Sequence, residues 1–236
     1  MVKALIAVTS HHDTFYENGS KTGVFVSEAL HPFLIFKENN IESDFVSENG
    51  TFGYDVNSLD PMFLNGKDLD VFNNKSSDFN VSISNMKKAS QINPDEYQII
   101  FFPGEHGTAF DFPQAEGLHK VAQNIWKNNG IIAAVSHGSN IFDGLYDPEN
   151  PSKLLVESKT ITGFTHEGEE IIGVDRTLKK DHLGSIEELC KRLGANFSRP
   201  DAPFEEHIVT DGRIITGSNP ASAVSTALKA IELVGS

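Results

Sequence analysis

Four short apolar runs constrain this chain more than any other feature. Residues 4–8, 44–46, 98–102 and 131–135 hold few charges, and each ends abruptly in a polar or glycine-rich turn. A run of this length suits a strand buried on both faces, as in a parallel sheet. The segments between them carry a different period. Val24, Phe25, Ala29, Phe33 and Phe36 recur at helical spacing, and so do Leu118, Val121, Ala122, Ile125 and Trp126. Gly130, after Asn128-Asn129, stops the second of these helices. Strand, helix, strand in alternation predicts an α/β fold with right-handed crossovers.

Two later features extend the pattern. Asp211-Gly212 joins the β-rich runs 207–210 and 213–216, which predicts a hairpin with a positive-φ turn. A last helix is expected over 220–234, with Pro220 in its first turn and Asn219 as its cap. Residues 48–93 are rich in Asn, Asp and Ser and lack clean periodicity. They read as an excursion of short helices and loops within one domain spanning 1–236, a common size for one α/β unit.

Charge and cysteine usage narrow the partners. Asp and Glu number 33 against 19 Lys and Arg, a formal charge of −14. Such a surface repels phosphate backbones and anionic membranes. The lone Cys190 excludes an internal disulfide framework and a Cys-rich zinc site. Residues 4–8 are too short for a signal or membrane helix, so a cytoplasmic protein is expected, with the nucleus also open to it.

Ligands of open parallel sheets bind at the carboxyl ends of the strands. Four candidate tips follow: Thr9-Ser10-His11-His12-Asp13, Pro103-Gly104-Glu105-His106-Gly107-Thr108, Ser136-His137-Gly138-Ser139-Asn140, and Gly163 to Glu169 after the run 159–162. The third says most. A strand that runs straight into Ser136-His137-Gly138, with a helix starting near Asn140, displays a side chain on a sharp turn suited to a nucleophile. The fit to G-x-S-x-G is only partial, and a Ser-Gly turn capping a helix satisfies the same pattern. Glu28 lies three and four residues from Phe25 and Val24. Spacing leaves two outcomes: a buried carboxyl with a raised pKa, or a solvated residue at the face boundary, which is the simpler. Adjacent His11 and His12 diverge on any regular backbone, so neither they nor an H-E-x-x-H pattern, which is missing, points to a metal.

These motifs together resemble the DJ-1/PfpI superfamily, and within it the fungal Hsp31-like glutathione-independent glyoxalases (glyoxalase III). The resemblance spans nearly the whole chain. It rests on Lys21-Thr22-Gly23-Val24-Phe25-Val26-Ser27-Glu28-Ala29-Leu30-His31-Pro32, on His106-Gly107-Thr108 through Asp111-Phe112-Pro113, and on Ala134-Val135-Ser136-His137-Gly138. Ile141-Phe142-Asp143-Gly144-Leu145, Ile161-Thr162-Gly163-Phe164-Thr165 and Thr210-Asp211-Gly212-Arg213 through Ser222 complete it. It implies a flavodoxin-like three-layer sandwich with a central, mostly parallel sheet. It implies conversion of methylglyoxal to lactate without cofactor or metal, a homodimer, and an association with holding unfolded client proteins under stress. By motif it assigns Glu28, His137 and Glu169 to catalysis, and Gly104, Glu105, His106 and Gly107 to the oxyanion pocket.

The nucleophile position itself departs from the family. The family motif is Cys-His-Gly-Pro, and this chain has Ser136. A hydroxyl is a far weaker acid than a thiol and needs a well-placed base. Glu105 stands where the family usually has glycine, so its carboxylate would oppose an oxyanion and its Cβ is expected to strain or flip the peptide. Ser139 and Asn140 replace Pro-Ala. Three functions follow from the residues: a glyoxalase impaired by Ser136, a non-catalytic chaperone or small-ligand binder, and a serine hydrolase. In the hydrolase, His137 diverges from its neighbour Ser136, and His166 or His207 supplies the base.

Overall fold

A computed structural model of the chain describes residues 2–235. Its strands are β1 (Lys3–Ala7), β2 (Glu42–Ser47), β3 (Lys87–Lys88), β4 (Ile99–Phe102), β5 (Ile131–Val135), β6 (Tyr146–Asp147), β7 (Asn150–Leu154), β8 (Thr160–Ile161), β9 (Asn196–Phe197), β10 (Ile208–Asp211) and β11 (Ile214–Gly217). Seven of them form one sheet in the order β10-β11-β5-β4-β1-β2-β3. Only β10 runs antiparallel to its neighbour, through the expected hairpin, where Gly212 takes φ +62°. This is the α/β architecture expected, with helices on both faces of a mostly parallel sheet.

Side-chain alternation builds the two layers. Leu5, Ala7, Ile100, Phe102, Ile132 and Ala134 point to one face. Ala4, Ile6, Ile99, Phe101, Ile131 and Ala133 point to the other. Both sets are buried because the period of a strand is two and both faces are covered. The helices are α1 (Val26–Glu38), α2 (Gly66–Asn73), α3 (Asp78–Ser84), α4 (Thr108–Asp111), α5 (Glu116–Lys127), α6 (His166–Ile172), α7 (Asp175–Lys180), α8 (Ile186–Leu193) and α9 (Ala223–Val234). The first face packs on α5 and α8 through Leu118, Val121, Ile125, Ile186 and Leu189. The second packs on α1, α3 and α9 through Leu30, Phe33, Phe79, Ala227 and Ala230. None of these helices is long and apolar enough to cross a membrane among the described residues.

Several local expectations need correction. The run 159–162 yields only β8, which pairs with β9 in a separate ladder outside the main sheet. No α-helix starts near Asn140; a 3-10 turn, Ser136–Phe142, begins at the strand end itself. The last helix is preceded by a 3-10 turn, Pro220–Ser222. Asn219 does not cap it with its side chain. Its amide donates instead to the carbonyls of Pro203 and Glu205, at 3.0 and 2.6 Å. Residues 48–93 contain α2, α3, short 3-10 turns and β3, which pairs with β2 at the sheet edge.

Candidate active site

The carboxyl ends of β4 and β5 lie side by side, and glycine makes that possible. A Cβ on Gly104 would sit 2.4 Å from the His137 and Gly138 nitrogens, and one on Gly138 would sit 2.1 Å from the Phe102 carbonyl oxygen. The two turns therefore abut backbone to backbone. Ser136, the first residue past β5, takes φ +56°. A side chain in the left-handed region is uncommon and marks a sharp strand-to-turn elbow.

His137 does not diverge from Ser136. Its Nδ1 lies 3.3 Å from Ser136 Oγ, and its Nε2 lies 2.5 Å from Glu169 Oε1. Neither alternative base takes this place. His207 Nε2 pairs with Ser198 Oγ at 3.0 Å, and His166 lies 3.6 Å from Glu170. Glu169 is fully buried in the first turn of α6, where the helix dipole favours a carboxylate. Thr165 caps that helix by accepting from the Gly168 N–H at 3.0 Å. Glu169 Oε2 is 2.9 Å from His106 Nε2, and the His106 Nδ1 faces Glu105 Oε1. Ser136, His137, Glu169, His106 and Glu105 thus form one continuous buried chain.

Electrostatics fixes the protons. Burial works against charge on Glu169, but the rings of His106 and His137 outweigh it and hold its carboxyl well below the ordinary range. An ionised carboxylate only accepts, so both Nε2 atoms carry hydrogen. Burial also opposes charge on His106, yet Glu169 and Glu105 prevail and raise its pKa well above normal. Glu105 is likewise lowered against burial, chiefly by His106.

Glu28 settles the choice left open by spacing: it is buried, with 1% of its surface exposed. Desolvation, then the charge of Glu105, raises its pKa well above normal, while hydrogen bonds from the Gly104 N–H and Ser136 pull the other way. The Gly104 N–H donates to Glu28 Oε2 at 2.7 Å. Pro32, four residues on, has no N–H for the Glu28 carbonyl, so the helix is loosened at this turn.

The second turn is less open than expected. Glu105 is not in the left-handed region, so it carries no strain of that kind. The amides of Gly104, His106 and Gly107 are already taken, by Glu28, Glu105 and Thr22 respectively. An oxyanion bound there must displace a side chain. Ser139 and Asn140 tie the elbow down: Ser139 Oγ donates to the Thr162 carbonyl at 3.0 Å, and Asn140 Nδ2 donates to Thr108 Oγ1 at 3.1 Å.

The sequence reading missed Tyr16 and Asp55. The Tyr16 hydroxyl donates to Asp55 at 2.8 Å and lies 3.5 Å from Glu105. Desolvation and the Glu105 charge push Asp55 up to about 7. Nothing in their spacing signals this, because Asp55 comes from the aperiodic excursion. Tyr16 and Glu105 border a cavity of about 590 Å³, lined also by Phe25, Leu59, Phe63 and His106 among others. At the first tip, His11 stacks on Phe110 and His12 Nδ1 reaches the Thr22 carbonyl at 3.0 Å, so the two rings go separate ways.

Solved structures follow the same chain path. The crystal structure of glyoxalase III from Candida albicans superposes with a TM-score of 0.96 at 47% identity, covering 98% of this chain and 97% of that one. Schizosaccharomyces pombe DJ-1 matches at a TM-score of 0.55 and 18% identity, a likeness of fold alone. Fold and elbow define an α/β protein that shares its fold with DJ-1. Sequence relatives narrow the class. The glutathione-independent glyoxalase HSP31 of Saccharomyces cerevisiae is 50% identical over 230 residues, 98% of this chain and 97% of that protein. Glyoxalase 3 of Candida albicans is 48% identical over 227 residues, 96% of each. The chain belongs to the Hsp31-like glutathione-independent glyoxalase family. No protein-family model matches it.

Proposed function

We propose that this protein converts methylglyoxal and water to lactate without glutathione, using Ser136 as the nucleophile. The observation that carries the reading is the buried relay from Ser136 Oγ through His137 to Glu169, with Glu28 beside it. His137 Nδ1 takes the hydroxyl proton as Ser136 Oγ adds to the aldehyde carbon, giving a hemiacetal. Glu169 holds the Nε2–H and stabilises the cation that forms. Glu28, kept protonated by burial, moves a proton between the two adjacent carbons and their oxygens. The aldehyde carbon is oxidised as its neighbour is reduced, so the rearrangement needs no external redox partner. Water then cleaves the lactoyl ester and frees Ser136. His106 lines the pocket.

Turnover by a serine is expected to be slow, because the hydroxyl is a poor acid beside a thiol. Lactate formation from methylglyoxal, compared between this chain and Ser136→Cys, tests the reading. Turnover in the cysteine form alone places the impairment at Ser136; buffer-level lactate in both forms sinks the enzyme. A second reading, a non-catalytic small-ligand binder or chaperone, is favoured by the 3% exposure of Ser136 and by Glu105 at the cavity wall. Suppressed light scattering from a heated client checks the chaperone form. The homodimer follows from the family resemblance and belongs to the same proposal.

A further inference from the structure

We propose that Glu105, His106 and His137 form a site for a divalent transition-metal ion of the Zn²⁺ or Co²⁺ class. One donor atom from each lies within 4.8 Å of the others, and all three residues are buried. Glu169 makes the trio more than a cluster. Its two oxygens take the Nε2 atoms of both rings, at 2.9 and 2.5 Å. A carboxylate behind a ligating imidazole fixes its tautomer and orientation, and here one carboxylate does so for two rings. Nδ1 is then the nitrogen that each ring offers to an ion, and on His106 the ion displaces the proton that the metal-free ring holds there. The Nδ1 of His106 faces Glu105 Oε1, and that of His137 faces Ser136 Oγ at 3.3 Å.

The chemistry of this set is specific. Two imidazoles and one carboxylate, with a hydroxyl in reach, suit zinc or cobalt better than magnesium or calcium, which prefer all-oxygen sites. Zinc–nitrogen bonds of about 2.0–2.1 Å put tetrahedral ligand atoms about 3.4 Å apart. All three donor pairs lie within 4.8 Å, and Glu105 and His106 already touch, so side-chain adjustments of about an ångström bring the set to that spacing. Charge balance agrees. Glu105 and Glu169 are two buried carboxylates in one contact group, and a dication with two neutral imidazoles neutralises both. The cavity that reaches Glu105 and His106 supplies an entry path. Glu105 is the decisive residue, since without it only two imidazoles remain.

An ion on His137 Nδ1 occupies the nitrogen that serves as base, so bound metal inhibits turnover; binding itself is read without turnover, and this proposal and the glyoxalase reading fail separately. The full chain, stripped with chelator, is titrated with Zn²⁺ by calorimetry and with Co²⁺ by visible absorption. One ion per chain is expected, with cobalt bands of tetrahedral nitrogen–oxygen type. Glu105→Gln and Glu105→Gly should each weaken binding at least ~100-fold, and Glu169→Gln ~10–100-fold. His12→Ala, at the surface histidine pair, should change nothing. Circular dichroism confirms that each variant folds. No binding by the parent chain overturns the proposal. So does binding that survives both Glu105 substitutions, or binding lost with His12→Ala.

Discussion

The turns after β5 and β4 each place a histidine beside an oxygen side chain, and both histidines hand Nε2 to the same carboxylate, Glu169. They differ only in what faces the other nitrogen. His137 Nδ1 meets a neutral hydroxyl, Ser136. His106 Nδ1 meets a second carboxylate, Glu105. His106 is held as a cation between two anions, whereas the outer nitrogen of His137 meets only a hydroxyl. Under the proposed function, that one side chain assigns base chemistry to one turn and charge storage to the other.

The strongest way to break the comparison is to remove what the two rings share. Glu169→Gln can accept at only one oxygen, so one ring loses its orientation. Lactate formation, measured in a Ser136→Cys background to give range, should fall ~10²–10⁴-fold, the usual worth of a positioned acid–base pair. An unchanged rate would remove Glu169 from the mechanism. Ser136→Cys alone sharpens the same arm. Replacing a hydroxyl by a thiol that ionises near neutrality should raise turnover by ~100-fold or more, equal to about 2.7 kcal/mol of barrier. A fall in rate would show that the elbow is shaped for oxygen.

Glu105→Gly tests the other arm. With one of its two carboxylates gone, His106 should lose its proton at lower pH than in the parent. Nitrogen NMR of the metal-free protein reads this directly. Turnover of the cysteine form should rise about tenfold, because a negative charge beside the developing oxyanion is removed. An unmoved His106 titration would mean that Glu169 alone sets its charge.

The two turns were unequally legible in sequence, and the reason is physical. The apolar runs identified β1, β2, β4 and β5 because strands buried on both faces leave an uninterrupted signature. The elbow was visible because Ser136-His137-Gly138 follows such a run directly. Glu28 was visible only as an anomaly, since helical spacing cannot tell a buried carboxyl from one at the face boundary. The contact between Ser136 and His137 was misjudged: neighbours diverge on regular backbone, and φ +56° at Ser136 is not regular. The joining of Glu105, His106 and Glu169 lies across more than sixty residues, and no period encodes it. The same holds for Tyr16 and Asp55, brought together over 39 residues by an aperiodic segment.

A smaller effect probes the first strand tip, outside the relay. Asp111 accepts from Thr9 Oγ1 at 2.9 Å and from the Ser10 N–H at 2.7 Å. Burial outweighs these bonds and pushes its carboxyl up to about 6. In the unfolded chain the value is near 3.9. Between those values the folded state holds the proton more tightly. The contribution is therefore favourable at acid pH and is lost as pH rises from about 4 through about 6. Asp111→Asn should flatten that decline, by on the order of 1 kcal/mol after screening at this half-buried position. Urea midpoints at pH 4.5 and 7, for parent and variant, check it. A decline just as steep in the variant would assign the pH dependence to the buried relay and leave the first tip a purely structural support.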